Sequence, residues 1–507
     1  MFSFIQRSLL SKSFTACLLI TLRCLVACAQ GNVENKSPQP LQFDVQPWLD
    51  DFHQLIKSIQ TLYPDLEWTI RDRHMDLPQL RISTEKKLSR ATSDEEARKG
   101  IKEFLASFGD GHLSVQWSKE DPVASQDSPA SRPICSRLGY ETKVRRGIDF
   151  TQLTDFTPIL GPAADSFPGG ILSLPGGPKV GVLRIAEFNE HRFPGSCEAA
   201  LPELHLHPQD DCDAHCAATL AIHSSDILTA WLMERAAQLR SMGAAALLVD
   251  VTHNDGGDSW NEPVARSLAP VPLIDERFGF IKSAAWITQL QGELRAVESD
   301  LKKHRAPGPL LKQARARLRA ALAEGHQPCD RSHVFDSGKL DCSSIVTDIF
   351  YWSGILPYLK PGSLPPSDSR SVLFGPSGYI YSEGTQHLPL YVVVDRHSWS
   401  SAERFAGLLQ DNHAAIILGE RTGGAGCGFT GGNTPVTLTH SHASVRIPDC
   451  IGLRFDGSNA NNGVTPDVGV PWASDDKNLV RAQKLQSSLI ELTQKPQDES
   501  PNEPRER

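Results

Sequence analysis

Asp395-Arg396-His397-Ser398-Trp399-Ser400-Ser401-Ala402-Glu403-Arg404-Phe405-Ala406-Gly407 is the stretch on which the reading of this chain turns. It follows an apolar run at 388–394 (LPLYVVV) with the length and β-branched content of a buried strand, and it opens a helical pattern over about 401–411. A serine at a strand-to-helix turn has two physical advantages. Its hydroxyl projects beyond the sheet, and the unsatisfied N–H groups of the first helical turn face the same way, backed by the helix dipole. Such donors can hold a developing oxyanion. Serine is also a preferred N-cap, so the chemical reading rests on the company this turn keeps.

Working outward, the same strand–turn–helix grammar recurs. Residues 179–185 (KVGVLRI) and 245–251 (AALLVDV) read as buried strands, and the second opens into His253-Asn254-Asp255-Gly256-Gly257-Asp258. A helical pattern fills 213–242, and a strand at 414–418 runs into Gly419-Glu420-Arg421-Thr422-Gly423-Gly424. Repetition of this kind predicts an α/β core in segments 179–264 and 386–472. Residues 265–385 read as an insertion, with a charged helical hairpin near 286–325 and a Cys-bounded, Pro-rich loop. A lid over a cleft is one reading of it.

Upstream, 45–117 reads as a small helical domain, with apolar residues at helical spacing (Trp48, Phe52, Leu55, Ile56, Ile59). Ser93 with Glu96 three residues on has the form of a capping box. The domain ends in a turn, Asp110-Gly111-His112, followed by an alternating strand at 113–117. Residues 118–178 are rich in Pro, Ser and Gly and form a loop-rich connection. After the core, 473–507 reads as a helix and a polar, Pro-rich, disordered tail.

Composition bounds the function. The chain has 507 residues, 40% of them hydrophobic and 22% charged, as in ordinary soluble globular proteins. A net charge of −9 argues against a nucleic-acid partner, which needs a clustered cationic face. Residues 1–29 read as a targeting segment: Arg7 and Lys12, then an apolar core at 14–22 too short to span a bilayer. Ala27-Cys28-Ala29 offers a signal-peptidase site, while 25–28 (LVAC) reads equally as a lipobox that would leave Cys28 acylated as a membrane anchor. A polar tether at 30–44 follows. Export to the periplasm or beyond is the expectation.

Of eleven cysteines, Cys17, Cys24 and Cys28 lie in the leader. The others, Cys135, Cys197, Cys212, Cys216, Cys329, Cys342, Cys427 and Cys450, are even in number, as disulfides in an oxidising compartment require. Cys329–Cys342 and Cys427–Cys450 each bracket a short segment and are the preferred pairs. The spacing of Cys212 and Cys216 around His215 is not that of a tetrahedral zinc site, so no metal and no cofactor is expected.

Apolar strand, S-x-S-x-x-E, apolar helix and G-E-x-T-G-G together resemble the active-site segment of tail-specific (C-terminal-processing) serine peptidases. Four other segments agree in type and order: Asp110-Gly111-His112; Gly181-Val182-Leu183-Arg184-Ile185 with Phe188; Val249-Asp250-Val251-x-x-Asn254-x-Gly256-Gly257; and Asn462-Gly463-Val464-Thr465-Pro466-Asp467. The resemblance implies a crotonase-like ββα spiral core, peptide or protein substrates, and Ser400 as nucleophile, with Ser398 and Ser401 as alternatives. It places the oxyanion donors at the backbone N–H of Ser401 and of Gly256 or Gly257. Many relatives carry a PDZ domain, for which 118–178 is too short.

The best-known members use a lysine base in a G-K-G turn, and Ala425 stands at that position. The chain is therefore closer to the branch that includes the tricorn-core proteases and the interphotoreceptor retinoid-binding protein, which implies His112 as general base. An imidazole titrates in a range that lets it take a serine proton at neutral pH. The tricorn-like orienting glutamate falls at Ala460. Asp456 is the candidate orienting group, with Asn459 and Asp110 beside it. Glu403 reads as a first-turn carboxylate complementing the dipole, and His253 and His397 as solvated turn histidines. The expectation is an exported serine peptidase. The alternative is a catalytically degenerate protein that binds an apolar ligand or peptide on the same fold.

Overall fold

The computed structural model describes residues 43–117, 132–143, 147–161, 166–303, 308–327, 329–342, 344, 346–430 and 435–494. The leader, most of the tether, Cys28 and the tail beyond Gln494 lie outside the described residues.

Four helices, Gln46–Leu62, Leu66–Arg71, Leu77–Leu88 and Asp94–Ser107, open the described chain. Ser93 caps the last of them by accepting from Glu96 N–H at 3.3 Å, but the Glu96 carboxylate reaches back to Thr92 rather than to Ser93. Strand β1 (Ser114–Gln116) follows the Asp110 turn. The main sheet begins with β2 (Phe156–Pro158), β3 (Gly169–Ser173), β4 (Lys179–Arg184) and β5 (Ala246–Asp250). Next come β6 (Arg277–Ile281) and β7 (Val346–Tyr351), then β8 (Leu390–Val394) and β9 (Ile416–Gly419). The chain closes with β10 (Val436–Thr437), β11 (Ser444–Arg446), β12 (Cys450–Leu453) and β13 (Val468–Gly469).

Seven strands form one mixed sheet in the order β13-β9-β8-β5-β4-β3-β2, parallel from β4 to β13 and antiparallel at the β2–β3–β4 end. Its central strands are mostly apolar because both faces are covered, with the Arg184–Asp250 pair buried at their ends. Val392 and Val394 face one layer with Leu247, Val249 and Ile417, against the Ala214–Ser241, Asn261–Leu268 and Ser401–Asp411 helices. Their neighbours Tyr391 and Val393 face the other layer with Leu248 and Leu418, against the Asn478–Gln494 helix. The two-residue period of a strand therefore splits one apolar run between two cores. Each fully buried side chain of this size contributes about 1.5–3 kcal/mol.

The region read as an insertion does not stand apart. Its β6 and β7 form an antiparallel sheet with β12, which lies far downstream. Its helices, Ala284–Lys303 and Gly308–Gly325, share a core with Cys427 and Cys450. The helical N-terminal region is likewise stitched in, since β1 pairs with β11 in a third sheet. Disulfides join Cys135–Cys197, Cys212–Cys216, Cys329–Cys342 and Cys427–Cys450. The second of these uses the two cysteines that flank His215.

Candidate active site

Parallel strands β5, β8 and β9 end at the same edge of the sheet, the carboxyl edge at which open α/β sheets bind ligands. Three loops leave it: 251–258, 395–400 and 420–425.

The middle loop is organised by Asp395, which has no exposed surface. Its carboxylate accepts the N–H of His253 and of His397, each at 3.0 Å, and the Arg481 guanidinium at 2.9 Å. His253 Nδ1 lies 2.8 Å from the same carboxylate. Burial alone would raise its pKa, but His253 and Arg481 outweigh that and hold it at about 2. His397 is exposed and His253 partly so, and the two rings lie 4.7 Å apart, centroid to centroid. Ser398 is buried, its hydroxyl donating to Val251 O at 2.8 Å and accepting Asp395 N–H at 3.0 Å. Ser401 Oγ donates to Asp258 O. Both alternative serines are thus committed to structure.

Ser400 sits at φ 54°, ψ −118°, a backbone region that costs a non-glycine residue about 1–3 kcal/mol. Glu403 helps to hold it there. Its carboxylate accepts Ser400 N–H at 2.9 Å, Thr422 Oγ1 at 2.6 Å, Gly424 N–H at 2.8 Å and Ala425 N–H at 2.7 Å. Burial pushes its pKa above the ordinary carboxylate range in spite of those donors. Glu403 does more than complement a dipole, because it ties the serine turn to the loop in which Ala425 lies.

His112 comes from the opposite end of the sequence. Its Nε2 lies 3.1 Å from Ser400 Oγ across a separation of 288 residues. Asp110 fixes the turn by accepting His112 N–H at 2.8 Å, and Tyr63 and Asn461 donate to its other oxygen. Burial raises Asp110 to about 6. The imidazole is held by packing: Phe429 meets it edge-on at 5.5 Å, and a Cβ at Gly428 would strike the ring at 2.7 Å. Burial, with a smaller contribution from Arg446, lowers His112 to about 4. Its Nδ1 is buried and has no partner among the described residues.

Asp456 is not brought to His112. It is exposed, its carboxylate accepts Ser458 N–H at 2.8 Å in a local turn, and it is not among the residues that line the cleft. Asn459 is spent on Asp65 at 2.6 Å, and Asp110 meets the histidine's backbone rather than its ring. Ala460 faces a separate small cavity with Glu276, Glu403 and Arg454.

The 251–258 loop treats its two glycines differently. Gly256 N–H is taken by Asn254 Oδ1 at 2.8 Å, so it is not a free donor, and its backbone packs against Ser400 and Ser401. Gly257, at φ 143°, lies where any side chain would strike Phe188. No acceptor among the described residues takes the N–H of Gly257 or of Ser401. Asn254 went unread as a functional position; an Asn two residues before a glycine is the signal, since its side chain closes a local turn of this kind.

Ser400, Ser401, His112 and Gly257 line one open cleft of about 800 Å³. Its far wall comes from the 265–385 region, including Phe278, Phe280, Trp286, Phe350 and Trp352.

Residues 342–470 match the sequence profile of peptidase family S41. The fold is similar to that of mature CPAF complexed with lactacystin, at 16% identity and TM-score 0.53, over 88% of this chain and 98% of that one. A mutant of CPAF gives TM-score 0.55 at 16% identity, over 89% and 97%. An uncharacterized protein of Chlamydia muridarum is 29% identical over 110 residues, a match that spans 20% of this chain and only 18% of that relative.

Proposed function

We propose that the chain is a serine peptidase of family S41, whose profile its residues 342–470 match, with Ser400 as nucleophile and His112 as base. The observation that carries this reading is the 3.1 Å contact between Ser400 Oγ and His112 Nε2, made at a strained turn. In the reaction, Oγ attacks a peptide carbonyl while Nε2 takes its proton. The tetrahedral oxyanion is received by the N–H groups of Gly257 and Ser401. The bond to nitrogen then breaks, and His112 returns the proton to the leaving amine. Water repeats the sequence on the acyl-enzyme.

Four disulfides support passage through an oxidising compartment, and with it export to the periplasm or the medium. Membrane attachment through acylated Cys28 is the form that export would take if the lipobox is used.

Fluorophosphonate labelling with peptide mass mapping tests the chemistry. The expected adduct is on Ser400, lost in Ser400→Ala and sharply reduced in His112→Ala. A second reading, a binding protein for an apolar ligand or peptide, draws on the aromatic wall of the cleft and the bare His112 Nδ1. A folded protein that takes no label and binds an apolar ligand tightly would decide for it.

A further inference from the structure

The pairing of β1 with β11 sets Ser114 opposite Arg446, and so brings a guanidinium beside the turn that carries His112. Arg446 Cζ lies 3.9 Å from the centroid of the Phe429 ring, and that ring meets the His112 imidazole edge-on. His112, Phe429 and Arg446 therefore follow one another along one wall of the cleft that holds Ser400.

The two guanidiniums of this cleft differ. Arg404 is buried against Glu262 at 2.6 Å and Asp275 at 3.0 Å, so its charge is spent. Arg446 is exposed and has no carboxylate partner among the described residues. Its charge is nonetheless felt at the imidazole. Stacking on Phe429 orients the guanidinium fork before anything binds, which reduces the rotamer entropy lost on binding. A planar fork of N–H donors matches a carboxylate better than any other common group.

The side of the cleft follows from the proton's path. His112 must hand the serine proton to the leaving amine, so whatever flanks the imidazole flanks the leaving half of the substrate. We propose that Arg446 is a carboxylate-binding subsite for that half, so that the chain favours peptides with a carboxylate just beyond the scissile bond. The carboxylate comes either from an acidic side chain or from a free C-terminus. On a chain of net charge −9, which repels acidic peptides at long range, such selection needs a local cation of this kind. The proposal rests on the peptidase reading above.

The experiment competes fluorophosphonate labelling of the wild-type chain with matched short peptides. One pair differs only by aspartate against asparagine with the C-terminus amidated, and the other only by a free C-terminal acid against its amide. A lysine analogue of the first pair is included. The carboxylate member of at least one pair is expected to protect Ser400 at about fivefold lower concentration than its neutral twin, which is the scale of a charged hydrogen bond at a partly exposed site. Which pair shows the effect identifies the source of the carboxylate. The difference should vanish in Arg446→Gln and turn toward the lysine peptide in Arg446→Glu. Wild type that is labelled but protected equally by acid and neutral peptides overturns the subsite and leaves the peptidase reading standing. A preference that persists in Arg446→Gln does the same. Wild type that takes no label overturns the peptidase reading, and the subsite with it.

Discussion

The serine turn and the histidine turn meet at 3.1 Å, yet they are built in opposite ways. The serine turn is over-determined. Asp395 and Glu403, both buried, accept hydrogen bonds from backbone and side chains on either side of Ser400 and hold its strained backbone in place. The histidine is placed by backbone bonds and by ring packing, and its distal nitrogen has no acceptor among the described residues. A nucleophile needs fixed geometry, and hydrogen bonds supply it. A base also needs its second nitrogen partnered if the reactive tautomer is to be favoured. On the proposed reading, the comparison locates the weak element of this site in the base rather than in the nucleophile.

That contrast can be broken or sharpened by measurement. The largest effect belongs to Ser400→Ala, which should abolish fluorophosphonate labelling and any peptide turnover; label retained elsewhere in the cleft would break the assignment. His112→Ala should leave the fold intact and slow labelling by about 10²–10⁴-fold, the usual contribution of a positioned general base. A loss of less than tenfold would show that the imidazole is a bystander.

Asp395→Asn tests the over-determined side. Removing the charge that holds His253 and Arg481 loosens both the 251–258 loop and the serine turn, and a displacement of that kind is worth about a hundredfold in rate. The loss should fall on the rate of labelling more than on peptide affinity, and Asp395→Glu should recover part of it. An unchanged rate would mean that the tie is merely structural.

The pH profile tests the other side. As the proposed base, His112 must be neutral to act, and burial has lowered its pKa to about 4. Labelling should therefore stay level down to about pH 5 and fall below about pH 4. At pH 5 an ordinary imidazole, with a pKa of about 6.5, would already have lost about thirtyfold. A limb near 6.5 would mean that the ring is solvated or newly partnered when the site works. Asp456→Ala carries the smallest effect, within about 0.5 kcal/mol in stability and with no change in labelling, as for an exposed residue outside the site. A clear rate loss there would revive it as the orienting group.

Much of this was legible in the sequence. The runs at 179–185, 245–251, 388–394 and 414–418 all became strands, with ends shifted by a residue or two, because an apolar run of that length has few other stable fates. The helix after the serine occupies Ser401–Asp411, and two disulfides join the pairs with short brackets. What failed were directions. Asp456 lies close in sequence to Ala460, where the tricorn-like pattern would put a glutamate, but it is exposed and its carboxylate is taken by Ser458 N–H. Gly256 and Gly257 are equivalent as letters and differ only because Asn254 takes the N–H of the first. The 265–385 region shares a sheet and a core with residues beyond it, which no local pattern shows, as strand pairing is indifferent to distance along the chain.

By itself, then, the sequence determined the chemistry available: a serine at a strand-to-helix turn, a histidine in a glycine turn, a paired-glycine loop, and no lysine where one would act as base. Local backbone preferences and apolar periodicity are enough for that, because they are short-range properties. The tertiary structure alone decided which of these groups meet, which N–H groups are left for an oxyanion, and that the imidazole's second nitrogen lacks a partner. Those outcomes depend on side-chain direction and on contacts between residues hundreds of positions apart, which long-range packing selects and no local pattern records.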